Sequence, residues 1–84
     1  MPSAETLFKE LGFKKYEKDD VLVYYMPYDL EDIRVNDITF CKSLKKIIFY
    51  EGSNLGSDAY RLDYDTLYAI NVQCYELGWT RKKD

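Results

Sequence analysis

One four-residue word, Glu-Leu-Gly-aromatic, occurs twice in this chain, as Glu10-Leu11-Gly12-Phe13 and as Glu76-Leu77-Gly78-Trp79. Each copy ends a run with helical spacing. A glycine just past a helix takes the left-handed backbone that closes it and returns the next residue against the last turn. The two words therefore fix two helix ends and leave the chain between the helices to form something else. The residues ahead of them, "SAETLFK" and "NVQCY", share nothing further, so the words are two similar caps and not a duplicated unit.

The first helix is expected over Ala4 to Leu11, with Ser3 as N-cap and Glu5 placed for the helix dipole. Leu7, Phe8 and Leu11 share a face, and Phe13 is expected to fold back on Phe8. The second helix is expected over Tyr64 to Leu77, capped by Asp63 and stopped by Gly78 and Trp79. At about 100° per residue, Leu67, Ile70, Cys74 and Leu77 fall on one face of it, and Asp65, Ala69, Gln73 and Glu76 point elsewhere.

Between the helices the chain is rich in β-branched and aromatic residues. In "FKKYEKDDVLVYYMP" two such runs flank Asp19-Asp20, with Val21, Val23 and Tyr25 alternating against Leu22, Tyr24 and Met26, which reads as a hairpin. Pro27 cannot donate to a ladder and is expected to end the second strand. "YDLEDIRVND" follows as a charged connection, extended around Ile33 and Val35. "DITFC" and "KKIIFYE" give a second strand pair joined through "KSL", and "GSNLGSD" has loop chemistry.

With 84 residues the chain has surface enough to bury one core and no more. Its 46% hydrophobic and 17% aromatic content against 32% charge is that of a folding chain. No apolar run reaches membrane-spanning length, and "MPSAETLFKELG" lacks the pattern of a signal peptide, so a protein of the cytoplasm is expected. Cys41 and Cys74 have no metal-like spacing and no histidine to join them, and they are expected to be buried, reduced and unpaired. The net charge is −3, and setting aside the terminal "RKKD", three bases and one acid, leaves nine bases against fourteen acids, or −5. That balance argues against direct nucleic-acid binding, which uses clustered Lys and Arg.

The helix ending "KELGFKKYE", the apolar-alternating middle and the helix reading "LYAINVQCYELGW" resemble small proteins encoded by phages and prophages of Gram-positive bacteria. The resemblance covers Leu7 to Tyr16 and Leu67 to Trp79. Its matching positions, Leu11, Gly12, Ala69, Ile70, Gln73, Leu77, Gly78 and Trp79, are mostly capping and packing residues. It implies a viral or prophage origin, the cytoplasm of a bacterial host and a small α+β fold, and it names no activity.

The chain holds no histidine, which removes the commonest general base and the commonest neutral metal ligand. Ser/His and Cys/His nucleophiles are excluded. The acids Asp19, Asp20, Asp29, Glu31, Asp32 and Asp58 sit in turn-like stretches, as solvated loop residues do, and "GSNLG" lacks the Lys-Ser/Thr of a phosphate loop. No enzyme, cofactor or metal site is expected.

Nine tyrosines are the unusual part of the composition. Tyr64, Tyr68 and Tyr75 fall within about 40° of one another, placed by the expected core face at its shoulder. One reading has them trimming the sheet edge with their hydroxyls wet. The other makes them, with Asp63 and Asp65, a surface for a host or phage protein, because tyrosine gives large contact area at low entropy cost. The acids beside them suggest an acidic surface that occupies a basic groove on a host enzyme.

The expectation is a single α+β domain over residues 1–80: an N-terminal helix, three or four mostly antiparallel strands and a C-terminal helix, both helices on one sheet face. Residues 81–84 form a short basic tail. The expected function is non-catalytic binding of a host or phage protein, with inhibition of a defence nuclease as a subclass, by a monomer or weak homo-oligomer. The alternative is a structural component that self-assembles through a sheet edge and tyrosines.

Overall fold

In the computed structural model, which describes residues 2–26, 35–52 and 62–79, the two caps form as the repeated word demands. Helix α1 spans Ala4–Glu10, with the Ser3 hydroxyl accepting from the Thr6 N–H. It closes when the Phe13 N–H donates to the Phe8 carbonyl at 2.9 Å and the Gly12 N–H to Lys9 at 3.0 Å, with Gly12 at φ 95°. Helix α2, Tyr64–Glu76, closes the same way, Trp79 donating to Cys74 at 2.8 Å and Gly78 to Tyr75 at 3.0 Å, with Gly78 at φ 77°. Both helices stop one residue before the expected Leu11 and Leu77, which act as C-caps.

A Cβ at either glycine meets no atom within 4 Å, so its cost comes from the backbone angle alone. Gly12→Ala and Gly78→Ala are each expected to destabilise by about 1 kcal/mol. Thermal melts check this, and unchanged midpoints in both variants refute the capping account.

Four strands form between the helices: β1 Lys14–Lys18, β2 Val21–Tyr25, β3 Val35–Cys41 and β4 Lys46–Gly52. They make a fully antiparallel meander in the order β1-β2-β3-β4. The β1–β2 turn is the two residues Asp19 and Asp20, and the positive φ of 50° at Asp19 fits the twist of a tight hairpin. Strand β3 starts at Val35, two residues before the expected "DITFC" run. The expectations for Pro27 and Ile33, for a loop in "GSNLGSD" beyond Gly52 and for a basic tail at 81–84 lie outside the described residues.

Register decides which residues meet. Leu22 pairs with Phe40 and Tyr24 with Ile38, and these four side chains face the helices with 2% exposure or less. Ala4, Phe8 and Phe13 join them from the α1 side, and Ala69, Ile70 and Val72 from α2. Phe8 is the hub: its ring stacks on Tyr24 at 3.9 Å between centroids and meets Phe13 and Phe40 edge-on at 5.4 and 6.5 Å. Both helices therefore cover one sheet face, which makes this an α+β domain of a helix, a four-stranded antiparallel sheet and a helix.

Two parts of the expected core differ. On α2 the buried set is Thr66, Ala69, Ile70, Val72 and Gln73, while Leu67 is 41% exposed. The helix is rotated because small Ala69 admits close approach and Gln73 meets a buried partner: the Tyr24 hydroxyl donates to Gln73 Oε1 at 2.5 Å. The cysteines are unpaired, as expected, but only half-buried. Cys41 alternates onto the sheet face away from the helices, and Cys74 stands at the margin of the rotated contact, where burial raises its thiol pKa.

Candidate functional site

The rotation of α2 changes where its tyrosines stand. Relative to Tyr64, the rings of Tyr68 and Tyr75 lie within about 40° on the helical wheel, and the buried residues lie roughly 150° round from them. The tyrosines thus occupy the face opposite the core, not its shoulder. Tyr64 is 78% exposed, Tyr75 73% and Tyr68 40%. With Leu67 and the exposed Asn71, they form a ridge about 16 Å long on a regular helix.

The helix holding this ridge is fixed at both ends. Asp63 Oδ1 accepts from the Thr66 N–H at 2.7 Å, and hydrogen bonding from the Thr66 hydroxyl, together with that N–H, holds the Asp63 carboxyl below its ordinary pKa. That contribution to stability is complete above the ordinary carboxylate range and fades as pH falls through the lowered value. At the other end Glu76 Oε2 accepts from the Ala4 N–H at 2.8 Å. The last residue of α2 thereby caps the first turn of α1, where a carboxylate also favours the helix dipole. Asp65 stands exposed in the first turn of α2. Of the five residues expected to form a partner surface, Tyr64, Tyr68, Tyr75 and Asp65 face solvent, and Asp63 holds the helix in position.

The second exposed surface is the sheet face turned away from both helices, which composition and spacing did not single out. Alternation and register place Lys14, Tyr16, Lys18, Val21, Val23, Tyr25, Asp37, Thr39, Cys41, Lys46, Ile48 and Tyr50 on it. The available signal was the alternation of "KKYEK" and "VLVYY", but only pairing to β3 says which phase faces out.

Asp37 is the described acid on that face, on the inner strand β3 and in the row of Tyr25 and Tyr50. Its Oδ1 is buried with no hydrogen-bond partner among the described residues, and desolvation raises the carboxyl pKa. The native state then binds its proton more tightly than the unfolded chain, so stability falls as pH rises from 3.8 through the raised value. Asp37→Thr is expected to raise the melting temperature at pH 7, with the gain shrinking as pH approaches about 4. A variant that melts lower at pH 7 gives Asp37 a stabilising role and refutes this.

A cleft of about 470 Å³ lies between α1 and β1, lined by Glu5, Thr6, Lys9, Phe13, Lys14, Lys15 and Tyr24. The Lys15–Glu5 ion pair, 3.7 Å, crosses from β1 to α1 beside it. Among the described residues no group of three metal-ligating side chains gathers, and no helix is long and apolar enough to cross a membrane. Comparison with known protein families, with curated proteins and with solved structures finds no match to this chain.

Proposed function

We propose that this protein acts without catalysis, by binding another protein through the outward face of α2. One observation carries the reading: Tyr64 and Tyr75 project, 78% and 73% exposed, from the side of α2 opposite its buried face, with the partly covered Tyr68 and Leu67 beside them. Tyrosine on a fixed helix loses little entropy on docking, and large rings at the centre of an interface supply most of its affinity. Asp63 and Asp65 beside the ridge favour a partner with a basic surface. In the phage or prophage setting that the helix-end words suggest, the partner is a host or phage protein, and blocking the basic groove of a defence nuclease is one such role.

The test uses Tyr64→Ala with Tyr75→Ala, two side chains exposed enough that the fold keeps its melting temperature. Partner recovery from host lysate is expected to fall by about 2 kcal/mol of binding energy, close to thirtyfold, and to weaken further with salt. Full recovery by a folded double variant refutes the reading.

A second reading rests on the sheet edges. Strand β1 carries three lysines in five residues, a usual guard against edge pairing, whereas β4 presents Ile48 and Tyr50 at 39% and 58% exposure. Among the described residues β4 pairs only with β3. Self-assembly through β4 predicts a dimer or larger species by light scattering at micromolar concentration, and a monomer rejects it.

A further inference from the structure

We infer that the sheet face turned away from the helices binds single-stranded nucleic acid, with Tyr16 and Tyr50 as stacking platforms and Lys14, Lys18 and Lys46 as phosphate contacts. This goes beyond the α2 reading, since the face lies on the other side of the sheet from both helices. Tyr16, Val23, Thr39 and Ile48 form one row across the four strands, and Tyr25, Asp37 and Tyr50 the next. Tyr16 is 52% exposed and Tyr50 58%, on the two outer strands, so both rings are open to a ligand crossing the sheet. Their Cα positions are about 16 Å apart, from three strand spacings and a two-residue offset.

Charge complementarity selects the ligand. Lys14, Lys18 and Lys46 are exposed at the perimeter of this face and make no ion pair with a described residue. Lys15 and Lys42 are committed instead, to Glu5 and Glu17, and Glu17 alternates onto the helix side. At the β1–β2 turn Asp19 and Asp20 are both exposed acids near Lys18, and Asp20 accepts from the Ser43 N–H and hydroxyl at 2.9 and 2.6 Å, which fixes its carboxylate at the turn. Asp37 is half-buried in a middle strand. A chain with net charge −3 therefore places three lysines that pair with no described residue around a plane of aromatic and β-branched residues in which Asp37 is the one described acid. Apolar base faces inside a ring of phosphates match that pattern, and aromatic stacking tolerates any base sequence. A duplex keeps its base faces stacked inward and cannot use the rings.

Fluorescence anisotropy of the full chain with labelled 12-residue oligo-uridine and oligo-thymidine tests this, with a DNA duplex as competitor and the two oligomers distinguishing RNA from DNA. Expected is binding in the micromolar range at about 50 mM salt, falling with a log–log salt slope near −2, as about three phosphate contacts to a single strand give. Tyr16→Ala and Tyr50→Ala should each weaken it about tenfold. Lys14→Gln, Lys18→Gln and Lys46→Gln together should flatten the salt slope while leaving both rings in place. The Tyr64→Ala, Tyr75→Ala variant should bind the oligomers normally, so failure here and failure of the α2 reading are separable. The inference is overturned by no anisotropy change at about 100 µM protein, the weak end of non-specific affinities, or by duplex binding as tight as single-strand binding. Binding that survives in folded Tyr16→Ala and Tyr50→Ala variants also overturns it, as does a dimer by light scattering that those substitutions dissolve, which would give the face to a second copy.

Discussion

Replacing Phe8 by alanine is expected to destabilise the protein by about 4 kcal/mol, the largest effect of any single truncation in the core. Phe8 has no exposed surface, and its ring touches three others, lying flat on Tyr24 and edge-on to Phe13 and Phe40. Its removal leaves a void bounded by α1 and the middle strands, which a meander already paired on every inner edge cannot close by collapse. A domain of this size has a total stability of order 5–10 kcal/mol, so the variant is expected to melt at least 15 °C lower. Phe8→Leu keeps most of the volume and loses the ring contacts, and should cost about half as much. Urea unfolding of both variants checks the pair. A loss below about 1 kcal/mol for Phe8→Ala refutes the placement of the core hub.

The second large effect concerns the buried hydrogen bond between sheet and C-terminal helix. Tyr24 is 1% exposed and Gln73 4%, and the hydroxyl donates to Gln73 Oε1. Burial, reinforced by the charges of Glu5, Glu76 and Glu17, pushes the Tyr24 hydroxyl far above its ordinary pKa, so it stays a neutral donor throughout the stable pH range. Gln73→Leu strands that donor and is expected to cost about 3 kcal/mol, while Tyr24→Phe strands the amide and costs about 2 kcal/mol. Removing both groups leaves neither unsatisfied, so the double variant should be more stable than the sum of the singles by more than about 1 kcal/mol. Additive losses in the double-variant cycle contradict the coupling.

Local chemistry made several features legible in the sequence. Ser3, Asp63, Gly12 and Gly78 specify helix ends through groups no more than a few residues away, so the caps, the left-handed glycines and the return of Phe13 onto Phe8 follow from short stretches of chain. The hairpin about Asp19-Asp20 is equally local. So is the second strand pair. Which side of each element faces inward was a different kind of question. The periodicity of α2 offers an apolar stripe through Leu67, Ile70, Cys74 and Leu77, yet the helix docks on the side that carries Ala69 and Gln73.

Short-range chemistry settles the element order, the helix stops and the two strand pairs, because capping, turn formation and alternation act over a few residues; the β2–β3 pairing that joins the pairs into one meander is a long-range contact. The rotation of α2 follows instead from a long-range contact, in which the buried Tyr24 hydroxyl, 49 residues away, finds its acceptor in Gln73. That rotation turned Tyr64, Tyr68 and Tyr75 to the outside. Pairing across four strands likewise gathered Lys14, Lys18 and Lys46 around one face of a chain whose total charge is negative. A helical wheel weighs hydrophobicity without partners, so it set the tyrosines at the shoulder of the core face, and composition counts charges without positions, so the lysine-rimmed sheet face is not visible until the strands have found their register.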